Sequence, residues 1–157
     1  MLTLYKEKTI FSIDNVFDLH QKAKFLRFYD ELLAMGKISN AMSEGVGCWE
    51  GELEPCFMVN KDVFDKYLRD SRYLKDQVCV LHVAGDTRQP AFIEMLDGSG
   101  EQFSAGALRQ VSKKDAIHCQ GWTHMYDRYY TTDKPTDRHQ AISFSEAGFY
   151  GENNGPV

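Results

Sequence analysis

Glu50, Glu52 and Glu54, in the run WEGELEP, are the residues whose type and spacing point most directly to chemistry. In a β-strand alternate side chains share a face, so the carboxylates would project together. Like charges at that spacing repel. On a partly buried face at least one of them should take a raised pKa, which suits a general base or a cradle for a cation. The plainer alternative is a solvated acidic strand edge that discourages aggregation. Trp49 and Gly51 are expected on the opposite face, where Gly45, Gly47 and Gly51 leave the backbone open to a flat ligand. Equally, Trp49 and Leu53 could belong to the core, with the glycines relieving a bend.

Other chemistry-bearing residues are more scattered. Glu94, in the strand-like run AFIEML, would approach the glutamate row if the strands pair suitably. His82, inside the apolar run VCVLHVA, reads as a hydrogen-bonded, half-buried histidine. Trp122, His124, Tyr126, Tyr129 and Tyr130 form an aromatic group that could stack on a base, meet a partner or pack back on the domain. The P-loop, the GxGxxG fingerprint, HExxH and the GxSxG elbow are all absent from the sequence. The cysteines Cys48, Cys56, Cys79 and Cys119 form no CxxC pair and read as reduced, mostly buried thiols. His118, Cys119 and His124 lack the second half of a zinc site, so a metal is not expected.

The elements that must position these residues follow from periodicity. Residues 9–13 read as a short strand, with Asp14 and Asn15 as cap candidates for a helix starting near Val16 and ending at Gly36. Residues 43–59 alternate and form one bent strand or a hairpin, with Pro55 at a bend or edge. A second helix follows Asn60. Residues 78–84 and 91–96 are predicted as an antiparallel pair, and DGSG turns the chain into a third extended segment over residues 102–111. Lys113 to Ile117 could start a short helix. This order predicts an α+β fold, a ferredoxin-like split βαβ arrangement with helices on one face of a mostly antiparallel sheet. Residues 1–120 would form one domain, and residues 121–157 an irregular aromatic and polar extension.

Composition narrows the function classes. A chain of 157 residues with 43% hydrophobic residues supports one core. The formal charge of −5, from 18 basic and 23 acidic residues, gives no general attraction to polyphosphate, so nucleic acid is not the expected partner. No run approaches the roughly 20 apolar residues that span a bilayer, and the amino-terminal stretch lacks a signal-peptide core. A cytoplasmic protein is expected.

One resemblance adds to this reading. The order GVGCWEGELEPCFMV, a helix, QVCVLHVAG, then AFIEMLDGSGEQFSAGALRQVSKKDA, over roughly residues 40–116, resembles the small phage-encoded S-adenosylmethionine lyases. The corresponding parts are Gly47, Trp49 and Glu54, then Val78 to Leu81, then Gly106 to Val111. The resemblance implies a trimeric, ferredoxin-like, cofactor-free enzyme that starves host methylation and restriction systems. In its chemistry the substrate's own carboxylate attacks the carbon beside its sulfonium and releases methylthioadenosine and homoserine lactone. Glu54 and Glu50 are then the catalytic candidates, while Trp49, Gly47, Glu52 and Glu94 contact substrate. The alternatives are a non-enzymatic phage accessory protein that binds a host enzyme through its acidic face or aromatic tail, and a ligand-sensing module without turnover.

Overall fold

The computed structural model describes residues 7–14, 19–49, 51–84, 90–119 and 121–132, with the backbone alone at 19 and 49. Strand β1 (Lys8–Ser12) leads through helix α1 (Leu19–Ala34) to the hairpin of β2 (Ser43–Trp49) and β3 (Glu52–Asn60). A short α2 (Lys61–Val63) runs into a π-helical turn (Phe64–Leu68), and a 3-10 turn (Arg72–Leu74) precedes β4 (Cys79–Val83). Then come β5 (Pro90–Met95), β6 (Gln102–Val111), α3 (Lys113–Ala116), β7 (Gly121–Met125) and β8 (Arg128–Thr132).

These eight strands close into an antiparallel barrel in the order β1-β3-β2-β7-β8-β6-β5-β4. The expected ferredoxin-like α+β fold is therefore overturned. An open sheet of the first six strands would end at β2 and β6, but β2 pairs with β7 from Val46↔His124 to Trp49↔Gly121, and β6 pairs with β8 from Leu108↔Thr132 to Val111↔Tyr129. Closure removes both edges and satisfies their backbone groups. The irregular extension expected from residue 121 is corrected with it, because residues 121–132 supply two barrel strands. Their turn is tight, with Tyr126 and Asp127 at φ 58° and 61°, as a two-residue hairpin of the primed type requires. Residues 133–157 lie outside the described part.

Two apolar clusters flank the same strands. Outside the barrel, Phe11, Phe57, Val59 and Val80 pack against Phe25 of α1 and Phe64 and Leu68 of the π-helical turn. Inside it, Val83, Ala91, Ile93, Met95 and Ala105 form a second cluster with Ile10, Leu81 and Leu108. Because β1 and β4 are covered on both faces, TIFSI and CVLHV read as nearly continuous runs rather than as alternating ones. Helix α1 buries Phe25, Tyr29 and Leu32, spaced for one helical face. It ends where Lys37 N–H reaches the Leu32 carbonyl and Gly36 N–H the Leu33 carbonyl, each at 3.0 Å, with Gly36 at φ 72°. This double bond pattern with a left-handed glycine satisfies the last carbonyls of the helix.

Candidate functional site

Antiparallel partners share a face, so the register identifies the inward residues. Ser12 stands opposite Cys56 between β1 and β3, and Gly47 opposite Glu54 between β2 and β3. Gly47 also faces Thr123 of β7, which faces Tyr130 of β8. All of them line a cavity of about 370 Å³ at one end of the barrel. Ile10, Leu81 and Leu108 supply its apolar wall. Pro55 fits beside it because the β1 ladder stops at Cys56, which leaves the proline with a neighbour on the β2 side alone.

Charge in this cavity is one-sided. Its described lining includes Glu52, Glu54 and Asp76, and no lysine, arginine or histidine. Glu54 is half-buried, and burial pushes its carboxyl above the ordinary range; the Ser12 hydroxyl partly opposes the shift and the charge of Glu52 adds to it. Burial, and secondarily Glu54, pushes the Cys56 thiol up to about 12. That thiol stays protonated and is no nucleophile. The rim is latched by Asp14, whose carboxylate accepts from Asp76 N–H at 2.8 Å and from Gln77 Nε2 at 3.1 Å. Asp14, expected as a helix cap, thus holds the chain entering β4.

The sequence-predicted residues divide into two groups. Glu52, Glu54 and Gly47 meet at the cavity. A side chain at 47 would touch Cys56 Cβ at 3.6 Å, so this glycine leaves cavity space open. Trp49 pairs with Glu52 in the ladder, and antiparallel partners share a face, so the expectation that the two take opposite faces fails at the level of the backbone. The side chain of Trp49 and all of Glu50 lie outside the described part. Glu94 does not join the row. It sits on the other face of the barrel wall, buried at 6% exposure, against His82 and Arg69.

That second constellation is a closed relay. His82 Nε2 lies 2.7 Å from Glu94 Oε1 and Nδ1 lies 2.7 Å from Thr9 Oγ1. An ionised carboxylate can only accept, so Nε2 carries a proton, and in the neutral ring the Thr9 hydroxyl donates to Nδ1. Arg69 bonds both Glu94 and Asp65, and Lys61 reaches Asp65 at 2.8 Å. Burial raises the Glu94 carboxyl, but hydrogen bonds from Arg69 and His82 outweigh it and hold it below the ordinary value. The hydroxyl, imidazole and carboxylate are ordered like a nucleophile triad, yet Thr9 is at 0% exposure and Phe64 packs edge-on to the imidazole. The relay is structural: it pins the π-helical segment to the barrel wall.

Sequence reasoning missed Ser12, Cys56, Asp76, Thr123 and Tyr130 as cavity residues. A signal existed only for Ser12, a hydroxyl in an otherwise apolar strand. Cys56 shares the β3 face of Glu54, Asp14 holds Asp76 at the rim, and Thr123 and Tyr130 became neighbours through closure. Among the described residues no group of three or more histidine, cysteine, aspartate or glutamate side chains is arranged to hold a metal ion. No helix among them is long and apolar enough to cross a membrane.

No protein-family model matches the chain, and no curated protein matches it. The resemblance therefore rests on the residue pattern, and function must be argued from the cavity.

Proposed function

We propose that the acid-lined cavity takes up a small organic cation, and that this cation is S-adenosylmethionine, cleaved to methylthioadenosine and homoserine lactone. One observation carries the reading: an apolar pocket holds a half-buried glutamate with a raised pKa and offers no basic side chain among its described residues. Its size falls in the range of about 300–1,000 Å³ that small-molecule sites occupy. The barrel is not the fold that the resemblance implied, so support comes from the cavity chemistry together with the order of sequence features.

The chemistry asks little of the protein. A carboxylate oxygen of the substrate forms the ring bond to the carbon beside sulfur, the carbon–sulfur bond breaks, and its electron pair neutralises the sulfonium. Opposite charges vanish in the transition state, so a water-poor pocket that holds the bent conformation favours it. A lining without arginine or lysine leaves the attacking carboxylate unpaired. Glu54, ionising on contact with the cation, would hold the substrate ammonium, and Glu52 at the mouth would attract it.

Incubation with S-adenosylmethionine, with both products followed by chromatography, tests this. The wild type should form them and Glu54→Gln should lose most of the activity, by about 100-fold if one charged contact in a dry site is removed. Absence of product from the wild type would overturn the lyase reading. The proposal also carries a homotrimer and a cytoplasmic location in a host cell, the first checked by light scattering on the eluting protein.

A second reading, a phage accessory protein that binds a host enzyme, is favoured by a partly exposed ladder of rings on β7 and β8, of which Trp122 also borders the cavity. His124 stacks on Tyr129 at 4.2 Å, and Trp122 meets the same ring edge-on at 5.4 Å. Deleting residues 121–150 is no test of it, since that removes two barrel strands. Trp122→Ala with Tyr129→Ala should abolish such a complex, whereas Glu54→Gln should leave it intact.

A further inference from the structure

A groove of about 670 Å³ runs between α1 and the helical segment that includes the π-helical and 3-10 turns, and it shares no lining residue with the barrel cavity. Its charge is reversed. Lys24 and Arg27, three apart on α1, face Lys66 and Arg72 across it, against the acids Glu31 and Asp70. Among the described residues none of the four cations is held in an ion pair, although the chain as a whole carries −5. Two of them lean on rings instead. The Lys66 ammonium lies 5.3 Å from the centre of the Tyr67 ring. The Arg72 guanidinium lies 4.9 Å from that of Tyr73, and one of its N–H groups donates to Tyr73 Oη at 3.1 Å. A guanidinium has five N–H donors, so most of those on Arg72 remain for an anion.

Ser71 adds an independent observation. Its Oγ is buried and has no hydrogen-bond partner, and the residue lines the groove beside Arg72. A buried hydroxyl left unpaired is costly, and native structures rarely keep one without a partner. Phe28 and Tyr67, both half-buried, give the groove an aromatic side.

We propose that this groove binds a phosphate monoester of a flat, aromatic molecule. The phosphate would lie among Arg27, Lys66 and Arg72 and accept the Ser71 hydroxyl once a change of rotamer turns that closed-off group into the groove, while the ring would lie against Phe28 and Tyr67. A doubly charged phosphate matches the four cations less the two acids. Its several oxygens can take donors from both walls at once, which a singly charged carboxylate does less well.

Calorimetric titration of the full chain with phenyl phosphate, inorganic phosphate and benzoate tests the assignment. Phenyl phosphate should bind at one site, ahead of inorganic phosphate, with benzoate weakest. Lys24→Gln with Arg27→Gln changes exposed, unpaired side chains of α1 and should leave folding intact while weakening phenyl phosphate by about ten-fold or more. Ser71→Ala should weaken it by about three- to ten-fold, and Glu54→Gln should leave it unchanged. The proposal is overturned if phenyl phosphate fails to bind at millimolar concentration, or binds equally well to the Lys24 and Arg27 double variant or to Ser71→Ala. It is also overturned if a single-stranded oligonucleotide binds with steep salt dependence and phenyl phosphate cannot displace it, since the groove would then be a nucleic-acid surface.

Discussion

The barrel cavity and the helical groove lie on opposite sides of one wall and carry opposite charge. Ser12 and Glu54 of β1 and β3 look into the cavity, whose described lining has acids and no base. Phe11 and Phe57 of the same strands look outward to α1, next to which the groove gathers Lys24, Arg27, Lys66 and Arg72. Overall charge describes neither place. A strand puts every second residue on one face, so WEGELEP sends Glu52 and Glu54 inward together, whereas a helix sends residues three apart to one side. The outer wall also carries a third constellation, the seam Thr9–His82–Glu94–Arg69–Asp65, buried at Thr9, His82 and Glu94 and part-buried at Arg69 and Asp65, in which the charges are paired.

Breaking the seam should give the largest effect on stability. Glu94→Ala strands Arg69 beside Asp65 alone and removes the partner of a buried imidazole. A loss of about 3 kcal/mol is expected from removing one member of a buried pair, measured as a fall in the urea midpoint. Glu94→Gln, which keeps the shape, should cost less. The pH signature follows from the sign of the shift. The folded pKa of Glu94 is depressed, so its stabilisation is complete above the ordinary glutamate value and is lost as pH falls through the lowered one. Glu94→Gln should therefore flatten the acid limb of the stability curve.

Glu54 sharpens the comparison by reversing that sign. Its folded pKa is raised, so the ionised form costs stability at neutral pH, and the cost disappears as pH falls from the raised value towards the ordinary one. Glu54→Gln should raise neutral-pH stability, by about 1 kcal/mol or less, while cutting the proposed lyase activity. A residue kept at the expense of stability marks a functional site more firmly than loss of activity alone. If Glu54→Gln instead destabilises the protein, the glutamate is a structural partner of Ser12 and the cavity reading weakens.

How much of this was legible depended on range. Helix α1, the β4–β5 pair and the run Gln102–Val111 each have a local signature and form where the pattern put them, and residues 43–59 resolve to a hairpin rather than one bent strand. The shared inward face of Glu52 and Glu54 was legible for the same reason. Closure was not, because no local pattern says that β2 pairs with β7 or that β6 pairs with β8. Glu94 shows the limit most plainly. Its pairing with Val80 puts its neighbour two places on, Phe92, opposite His82, and nothing in AFIEML says which side of the wall Glu94 takes. The groove was hidden altogether, since Lys24 and Arg27 are far in sequence from Lys66 and Arg72, and the net charge of −5 speaks only against a polyphosphate partner, not about one local cluster.

The smallest effect tests why the far wall of the cavity escaped notice. Hairpin signals usually contain glycine or asparagine, yet the β7–β8 turn uses Tyr126 and Asp127, both at positive φ. A side chain in that region costs about 1 kcal/mol, and here Tyr126 recovers part of it through a hydrogen bond between its hydroxyl and Ser43 at the start of β2. Asp127 has no such bond among those described, so Asp127→Gly should stabilise the barrel by roughly 0.5–1 kcal/mol. Because β8 carries the cavity residue Tyr130 but contributes nothing to the groove, the gain should appear in thermal unfolding while phenyl phosphate affinity stays constant. A change in that affinity would mean that the wall between the two sites transmits strain, and that the acidic and basic sides are coupled rather than merely separated.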